Sequence, residues 1–255
     1  MSHDPWHHLR EYTAARIALG RSGAGLPTEA LLQFGLAHAQ ARDAVHVALD
    51  VPALTQQLRA LGLSTCAVRS AAADRATYLL RPDLGRRLHP DDAPGLRELA
   101  RHAACDLLLV IGDGLSSQAI ARQALPLVQA VLRQAPADWS LGPLVVATQA
   151  RVALGDEVGD LLGARLVAML IGERPGLSSP DSLGIYLTWA PKPGRHDAQR
   201  NCISNVRPEG LPPEAAAARL WWLCREARRL QLTGVQLKDR SEDTLPPPAA
   251  GMLPA

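Results

Sequence analysis

The sequence predicts an α/β protein: a Rossmann-like, mostly parallel sheet flanked by helices, with an N-terminal helical extension. Two observations lead to this prediction. From residue 106 onward, short apolar runs bounded by Gly, Pro or polar residues alternate with helix-like segments, a pattern typical of βαβ units and a parallel sheet. Before that region, residues 26–49 form a long amphipathic segment, which predicts a helix outside the sheet.

Residues 1–62 are expected to form the helical extension and to dock on partner chains. A short helical segment begins at Asp4-Pro5-Trp6 and stops at a Gly-rich turn, residues 20–25. A phosphate loop is one interpretation of that turn. However, no strand precedes it and no Gly-Lys-Ser/Thr follows it, so a flexible connector is the simpler interpretation.

The segment 26–49 is predicted to be the longest helix, because Pro27 and Glu29 suit a first helical turn. Its apolar seam repeats every three or four residues, which suits packing on another helix. The seam consists of Leu31, Phe34, His38, Ala41, Val45 and Ala48. A metal site at His38 and His46 would need a third ligand and would place Arg42 beside the metal. Interface groups covered by a partner chain are the more natural interpretation.

The following 40 residues contain shorter elements. Residues 51–61 predict a second helix that ends at Gly62. Two pieces, 64–70 and 76–80, are rich in β-prone residues and predict short strands. Residues 81–87 read as a basic turn.

The predicted α/β domain spans residues 63–240, and its first clear βα unit begins at residue 107. A buried strand is predicted at 107–111, and a Gly-rich turn at 112–117 leads into a helix over 118–134. A strand, a turn and a helix N-terminus together form a potential anion or hydroxyl site. The turn is not the dinucleotide fingerprint, because the third glycine and the downstream acidic residue are missing.

Three further strands and two helices complete the prediction. The strands are expected at 143–147, 165–171 and 183–189, and the helices at 154–163 and 213–230. Residues 241–255 are rich in Pro and Ala and are expected to form a disordered tail. No internal repeat is visible.

Polar segments follow the predicted strands and suggest a binding crevice. Glu173 and Arg174 come directly after the strand 165–171, and so lie at the carboxyl edge of a parallel sheet, where open α/β folds bind ligands. Residues 200–205 read as another polar loop, which contains Cys202. A nucleophilic role for Cys202 would need a neighbouring base, and none can be placed from the sequence. A small wall residue against a large ligand fits better.

The composition excludes several classes of protein. A net charge of +2 is too balanced for a protein that depends on nucleic-acid phosphates. Four scattered cysteines without a CxxC pair argue against a zinc site and a disulfide framework. The N-terminus shows no secretory signal, and no apolar stretch reaches the about 18 residues of a membrane span. These features predict a soluble intracellular protein.

Several segments together resemble one known family, the light (small) chain of ethanolamine ammonia-lyase. The similarity covers nearly the whole chain, in order and with matching spacing. The segments are 36–46 (LAHAQARDAVH), 81–86 (RPDLGR), 113–116 (DGLS), 149–152 (QARV), 172–177 (GERPGL), 181–183 (DSL) and 200–205 (RNCISN).

The resemblance implies a subunit of an enzyme that converts ethanolamine to acetaldehyde and ammonia with adenosylcobalamin. It further implies that the light chain covers one side of the cofactor at the interface with a large barrel subunit, which supplies the catalytic residues. By matching position, Val152, Glu173 and Cys202 are the expected cofactor-binding residues. The expected location is a bacterial microcompartment or the cytoplasm.

Two alternatives remain open at the level of the sequence. One is a stand-alone nucleotide-binding regulatory module that uses the turn at Asp113-Gly114. The other is a scaffold that binds the large chain and touches no cofactor.

Overall fold

The computed structural model describes residues 4–243 except 14 and 101–104. Its sheet has six strands: β1 (Thr65–Arg69), β2 (Leu107–Gly112), β3 (Leu144–Thr148), β4 (Leu166–Gly172), β5 (Leu183–Trp189) and β6 (Arg200–Val206). The order across the sheet is β1-β3-β2-β4-β5-β6. The first four strands in this order are parallel, whereas β5 and β6 are antiparallel to their neighbours. The predicted fold class, with its mostly parallel sheet flanked by helices, is confirmed.

The helices are α1 (Thr28–His46), α2 (Val51–Arg59), α3 (Arg75–Leu80), α4 (Ala93–Ala100), α5 (Ser117–Arg133), α6 (Leu154–Leu161) and α7 (Pro213–Leu230). Short 3-10 turns occupy His7–Glu11, Leu84–Arg86, Pro90–Asp92, Asp197–Gln199 and Ser241–Asp243. The sequence predicts a disordered tail over residues 241–255. Of this segment, residues 244–255 lie outside the described residues. Within the described part of the chain, no helix combines the length and the apolar character that crossing a bilayer requires.

The helices form one layer on each face of the sheet. On the first face, α2, α5 and α7 pack against a core that includes Ile111, Leu170 and Ile185. On the second face, α4 and α6 pack against a smaller core around Val110 and Met169. β2 and β4 are buried along their whole length, because helices cover both of their faces. Continuous apolar strands of this kind are typical of parallel sheets.

Two predictions about local structure are wrong. Residues 76–80 lie in α3 rather than in a strand, because the Asp74 carboxylate caps the helix by accepting a bond from Thr77 N at 2.7 Å. Residues 200–205 form most of β6 rather than a loop. This strand escapes prediction because several of its side chains are polar and exposed.

Helix α1 is confirmed, but little of its surface is buried in this chain. Ala37 and Ala44 are its buried residues, while Leu31 and Phe34 of the predicted seam are exposed. Among the described residues, ten of the fourteen exposed large hydrophobic side chains lie between Trp6 and Val47. Exposed apolar side chains at this density are typical of a surface that another chain covers.

Candidate functional site

A cleft of about 440 Å³ lies at the carboxyl edge of the parallel strands. Residues after β3 and β4 line it, together with the turn that follows β2 and with Tyr186 of β5. Its polar lining includes Arg151, Glu173 and Arg174. The cleft therefore occupies the edge at which the sequence places a binding crevice.

Glu173 lines the cleft directly after β4. Its carboxylate accepts a hydrogen bond from Ser182 Oγ at 2.5 Å and longer ones from Asn205 N at 3.3 and 3.4 Å. The carboxylate lies against Gly184, where an added Cβ would come within 2.9 Å of Glu173 Oε1. Within the described part of the chain, Glu173 makes no ion pair with Arg151 or Arg174.

The backbone around Asn205 places its N–H beside Glu173. The pairing of β5 and β6 shifts register between Leu183 and Ile185, and Asn205 adopts a left-handed conformation with φ +59°. A bulge of this kind redirects the chain beside functional sites. From the sequence, Asn205 is predicted to lie in a loop. In the structure it lies near the end of β6, where its N–H donates to the Glu173 carboxylate.

Val152 lines the same cleft from the segment between β3 and α6. It is half-buried and packs against the core of the second face. The backbone here is fixed, since Gly155 N donates to Val152 O at 3.1 Å. Val152 therefore offers a small apolar surface at a defined position in the same cleft as the polar Glu173.

Cys202 lies beside the cleft on β6, not in its lining. It pairs across the strands with Tyr186, which does line the cleft. The thiol is exposed, yet partial desolvation, with the Glu173 charge, raises the pKa of Cys202. Because such a thiol stays protonated at neutral pH, the geometry favours a wall residue over a nucleophile.

The three predicted cofactor residues thus lie in one region. Val152 and Glu173 share the cleft, and Tyr186 connects Cys202 to it. Burial, followed by the neighbouring Cys202 and Glu173, raises the pKa of Tyr186, so its phenol stays protonated. The region can accept and donate hydrogen bonds and offers an apolar contact.

The Asp113-Gly114 turn holds the strand ends together. The Asp113 carboxylate accepts bonds from Gln149 N and Ala150 N, both at 2.9 Å, and so joins the ends of β2 and β3. Gly114 has φ +57° and lies so close to β4 that an added Cβ would come within 2.3 Å of Gly172 O. Only glycine tolerates that combination of backbone conformation and close approach.

The same turn makes a poor phosphate cradle. Ser116 Oγ accepts from Ala119 N at 3.1 Å and donates to Pro180 O at 2.8 Å, and Leu115 N donates to Gly172 O at 2.9 Å. These groups at the start of α5 are engaged within the chain. The geometry therefore does not favour the stand-alone nucleotide-binding module.

A cluster of Arg75, Tyr78 and Arg151 supports the cleft, and sequence reasoning missed it. The guanidinium carbons of Arg75 and Arg151 lie 4.7 and 4.3 Å from the centre of the Tyr78 ring. Tyr78 is fully buried and donates to Ala150 O at 3.2 Å, and burial raises the pKa of Tyr78 to about 12. Because Arg151 is more than 70 positions from its partners in sequence, no local signal reveals the cluster.

The described residues contain no group of three or more His, Cys, Asp and Glu side chains arranged to hold a metal. His38 and His46 are exposed on α1.

Fold and site together define an α/β protein with an open cleft at the carboxyl edge of its sheet. Comparison with known proteins gives the family. The family model described as ethanolamine ammonia-lyase light chain matches residues 3–238. The chain belongs to this family.

Individual relatives agree with the family match. The chain is 58% identical over 242 residues to the ethanolamine ammonia-lyase small subunit of Azotobacter vinelandii, covering 94% of this chain and 90% of the relative. It is 57% identical to the small subunit from Pseudomonas putida strain W619, covering 94% and 89% of the two chains. It is 55% identical over 254 residues to that of Bradyrhizobium diazoefficiens, covering 98% and 96%.

Proposed function

We propose that this chain is the small subunit of an adenosylcobalamin-dependent ethanolamine ammonia-lyase and that it covers one side of the cofactor. The observation that carries the proposal is the cleft in which Val152 and Glu173 meet, with Cys202 beside it. A cleft open on one side suits a large ligand that a second chain covers. When bound, adenosylcobalamin supplies the radical chemistry that converts ethanolamine to acetaldehyde and ammonia.

The residues of the cleft fit such a group in three ways. Val152 offers an apolar contact for the corrin. Glu173 can accept hydrogen bonds from the amide side chains of the corrin, because Asn205 N holds its carboxylate only at 3.3 to 3.4 Å. Cys202, the cross-strand neighbour of Tyr186, can fill a polar gap against the edge of the bound cofactor. The role of this chain is to bind and orient the cofactor and to screen it from water.

A large barrel subunit is the proposed partner, and it supplies the catalytic residues. Residues 1–62 are the proposed docking segment, because the exposed apolar side chains concentrate between Trp6 and Val47. Residues 63–240 form the proposed cobalamin-contacting domain. The proposed location is the cytoplasm or a bacterial microcompartment.

Co-expression with the large subunit of a related ethanolamine ammonia-lyase tests the proposal. Ethanolamine deamination should require both chains and added adenosylcobalamin, while the small chain alone should be inactive. Deamination by this chain alone, or by the complex without cofactor, would contradict the proposal. A chain that lacks residues 1–25 should assemble less well with the large subunit while its α/β domain still unfolds cooperatively.

A further inference from the structure

Arg75 and Arg151 lie against the same Tyr78 ring, but their charges are compensated very differently. Arg75 donates to Val45 O at 2.6 Å and to Gly114 O at 2.8 Å, and it pairs with Asp113 at 3.6 Å. Its Nη2 is buried without a hydrogen bond, yet the neighbouring carboxylate neutralises the group. Arg75 is therefore a structural cation.

Arg151 has no such compensation. Within the described residues the one hydrogen bond of its guanidinium group runs from Nη2 to Tyr78 O at 3.3 Å, and Nε is buried without a partner. No carboxylate of the described chain lies within ion-pair distance of it. A half-buried cation without an anionic partner is costly, so its position in the cleft lining indicates that an external anion completes the site.

The rest of the cleft agrees with an anionic ligand group near Arg151. Arg174 also lines the cleft, is exposed and makes no ion pair among the described residues. The one acidic side chain in this lining is Glu173, which Ser182 and Asn205 hold on the β5 side. Arg151 packs against Tyr78. The cleft lining therefore contains two cationic groups without an ion-pair partner among the described residues, besides the hydrogen-bond-accepting Glu173.

We propose that Arg151 binds the phosphodiester in the nucleotide tail of the cofactor. This inference rests on the proposed function. The corrin side chains of cobalamin are uncharged amides, whereas the phosphodiester carries a permanent negative charge. A guanidinium matches the geometry of phosphate oxygens and can donate two parallel hydrogen bonds to them. Among the described residues Nη1 of Arg151 has no hydrogen-bond partner, and unlike Nε it is not a buried orphan, so Nη1 is the donor available to the ligand.

The test compares two ligands on the reconstituted two-chain complex. Adenosylcobalamin carries the nucleotide tail, and adenosylcobinamide lacks both the tail and its phosphodiester. Spectrophotometric titration gives a Kd for each ligand with the wild-type chain, Arg151→Met and Arg151→Lys. The control is Arg228→Met, since Arg228 also stacks on an aromatic ring, Trp139 at 5.1 Å, but lies outside the cleft lining.

Arg151→Met should raise the Kd of adenosylcobalamin about ten- to hundredfold, as expected for the loss of a charge-assisted hydrogen bond. The same variant should leave the Kd of adenosylcobinamide within about threefold of the wild type. Arg151→Lys keeps the charge but loses the planar fork, so its effect on adenosylcobalamin should be intermediate. Arg228→Met should change neither Kd.

An equal rise in the Kd of both ligands would show that Arg151 acts only by packing on Tyr78. An unchanged Kd for both ligands would show that Arg151 does not contact the cofactor. Both outcomes overturn this inference and leave the proposed function standing. A wild-type complex that binds neither ligand overturns both. If Arg151→Met fails to assemble, Arg151→Lys decides by the same comparison of the two ligands.

Discussion

The parallel and the antiparallel halves of the sheet are built for different tasks. In the parallel half, β2 and β4 are buried at every position, because helices cover both faces. In the antiparallel half, α7 covers one face of β5 and β6. On the other face Tyr186 is half-buried and Cys202 is exposed.

Polar side chains next to the sheet also differ in how far they are enclosed. Arg200 at the start of β6 is buried and pairs with Asp156 of α6 at 2.7 Å, and each side chain is at most 2% exposed. Glu173 is half-buried and faces an open cleft. The comparison suggests that the enclosed pair holds β6 against the domain, while the open carboxylate serves a ligand. Substitutions should therefore separate stability from binding.

The largest expected effect is on stability, at the enclosed pair. Arg200→Met leaves the Asp156 carboxylate buried without its partner, and it also removes bonds to Thr188 Oγ1 and Arg195 O. The free energy of unfolding should fall by about 3–5 kcal/mol, as measured by urea denaturation.

The double variant Asp156→Leu/Arg200→Met is the matched control. Because it removes both charges together, it should recover part of the lost stability. A loss below about 1 kcal/mol in Arg200→Met would place this pair among surface salt bridges and remove the contrast between the enclosed pair and the open carboxylate.

The next effect is on cofactor binding, at the open carboxylate. Glu173→Gln keeps the shape and an oxygen for Ser182 Oγ but loses the charge. A charge-assisted hydrogen bond contributes roughly 1.5–3 kcal/mol, so the Kd of adenosylcobalamin for the assembled enzyme should rise about ten- to hundredfold. Ethanolamine binding should change little.

Glu214→Gln serves as the control, because Glu214 pairs with Arg133 on an exposed surface and lies outside the cleft lining. It should leave the Kd unchanged. An intact complex in which Glu173→Gln binds the cofactor with wild-type affinity would exclude Glu173 as a cofactor ligand and favour the scaffold alternative.

The mildest perturbation is chemical labelling of Cys202. Of the four thiols, Cys202 is the exposed one in this chain, so iodoacetamide should modify it first. Desolvation, with a smaller effect of Glu173, raises the pKa of Cys202 above its ordinary value of 9.0. Labelling should therefore be slow at pH 7 and should accelerate about tenfold per pH unit up to that pKa.

In the two-chain complex, added adenosylcobalamin should slow the labelling of Cys202 further. The complex without cofactor is the control, because it separates protection by the large chain from protection by the ligand. Equal rates with and without cofactor would place Cys202 outside the cofactor site.

The strands that are buried on both faces could be predicted from the sequence, because such burial requires an apolar residue at every position. Continuous apolar runs identify β2, β3 and β4 with boundaries close to those observed. β6 shows no continuous apolar run, since its open face tolerates polar side chains such as Cys202. Helix α3 has only six residues, and its formation depends on the cap at Asp74 and the burial of Tyr78.

The site could be predicted in part. Its position follows from the chain order, since Glu173 comes directly after a buried strand. The choice of Val152 and Cys202 comes from the family resemblance and remains a prediction. The contacts between Tyr78 and Arg151, and the hydrogen bond from Asn205 to Glu173, depend on tertiary packing between segments distant in sequence.

If this chain forms one side of a cofactor site that the large subunit completes, adenosylcobalamin should bind tightly only when both chains are present. Equilibrium dialysis of adenosylcobalamin against the small subunit, the large subunit and their complex measures this. The wild-type complex should retain the cofactor tightly, either chain alone should retain it weakly, and the complex that carries Glu173→Gln should retain less than the wild type. Retention by the large subunit alone that equals retention by the complex would show that this chain forms no part of the site.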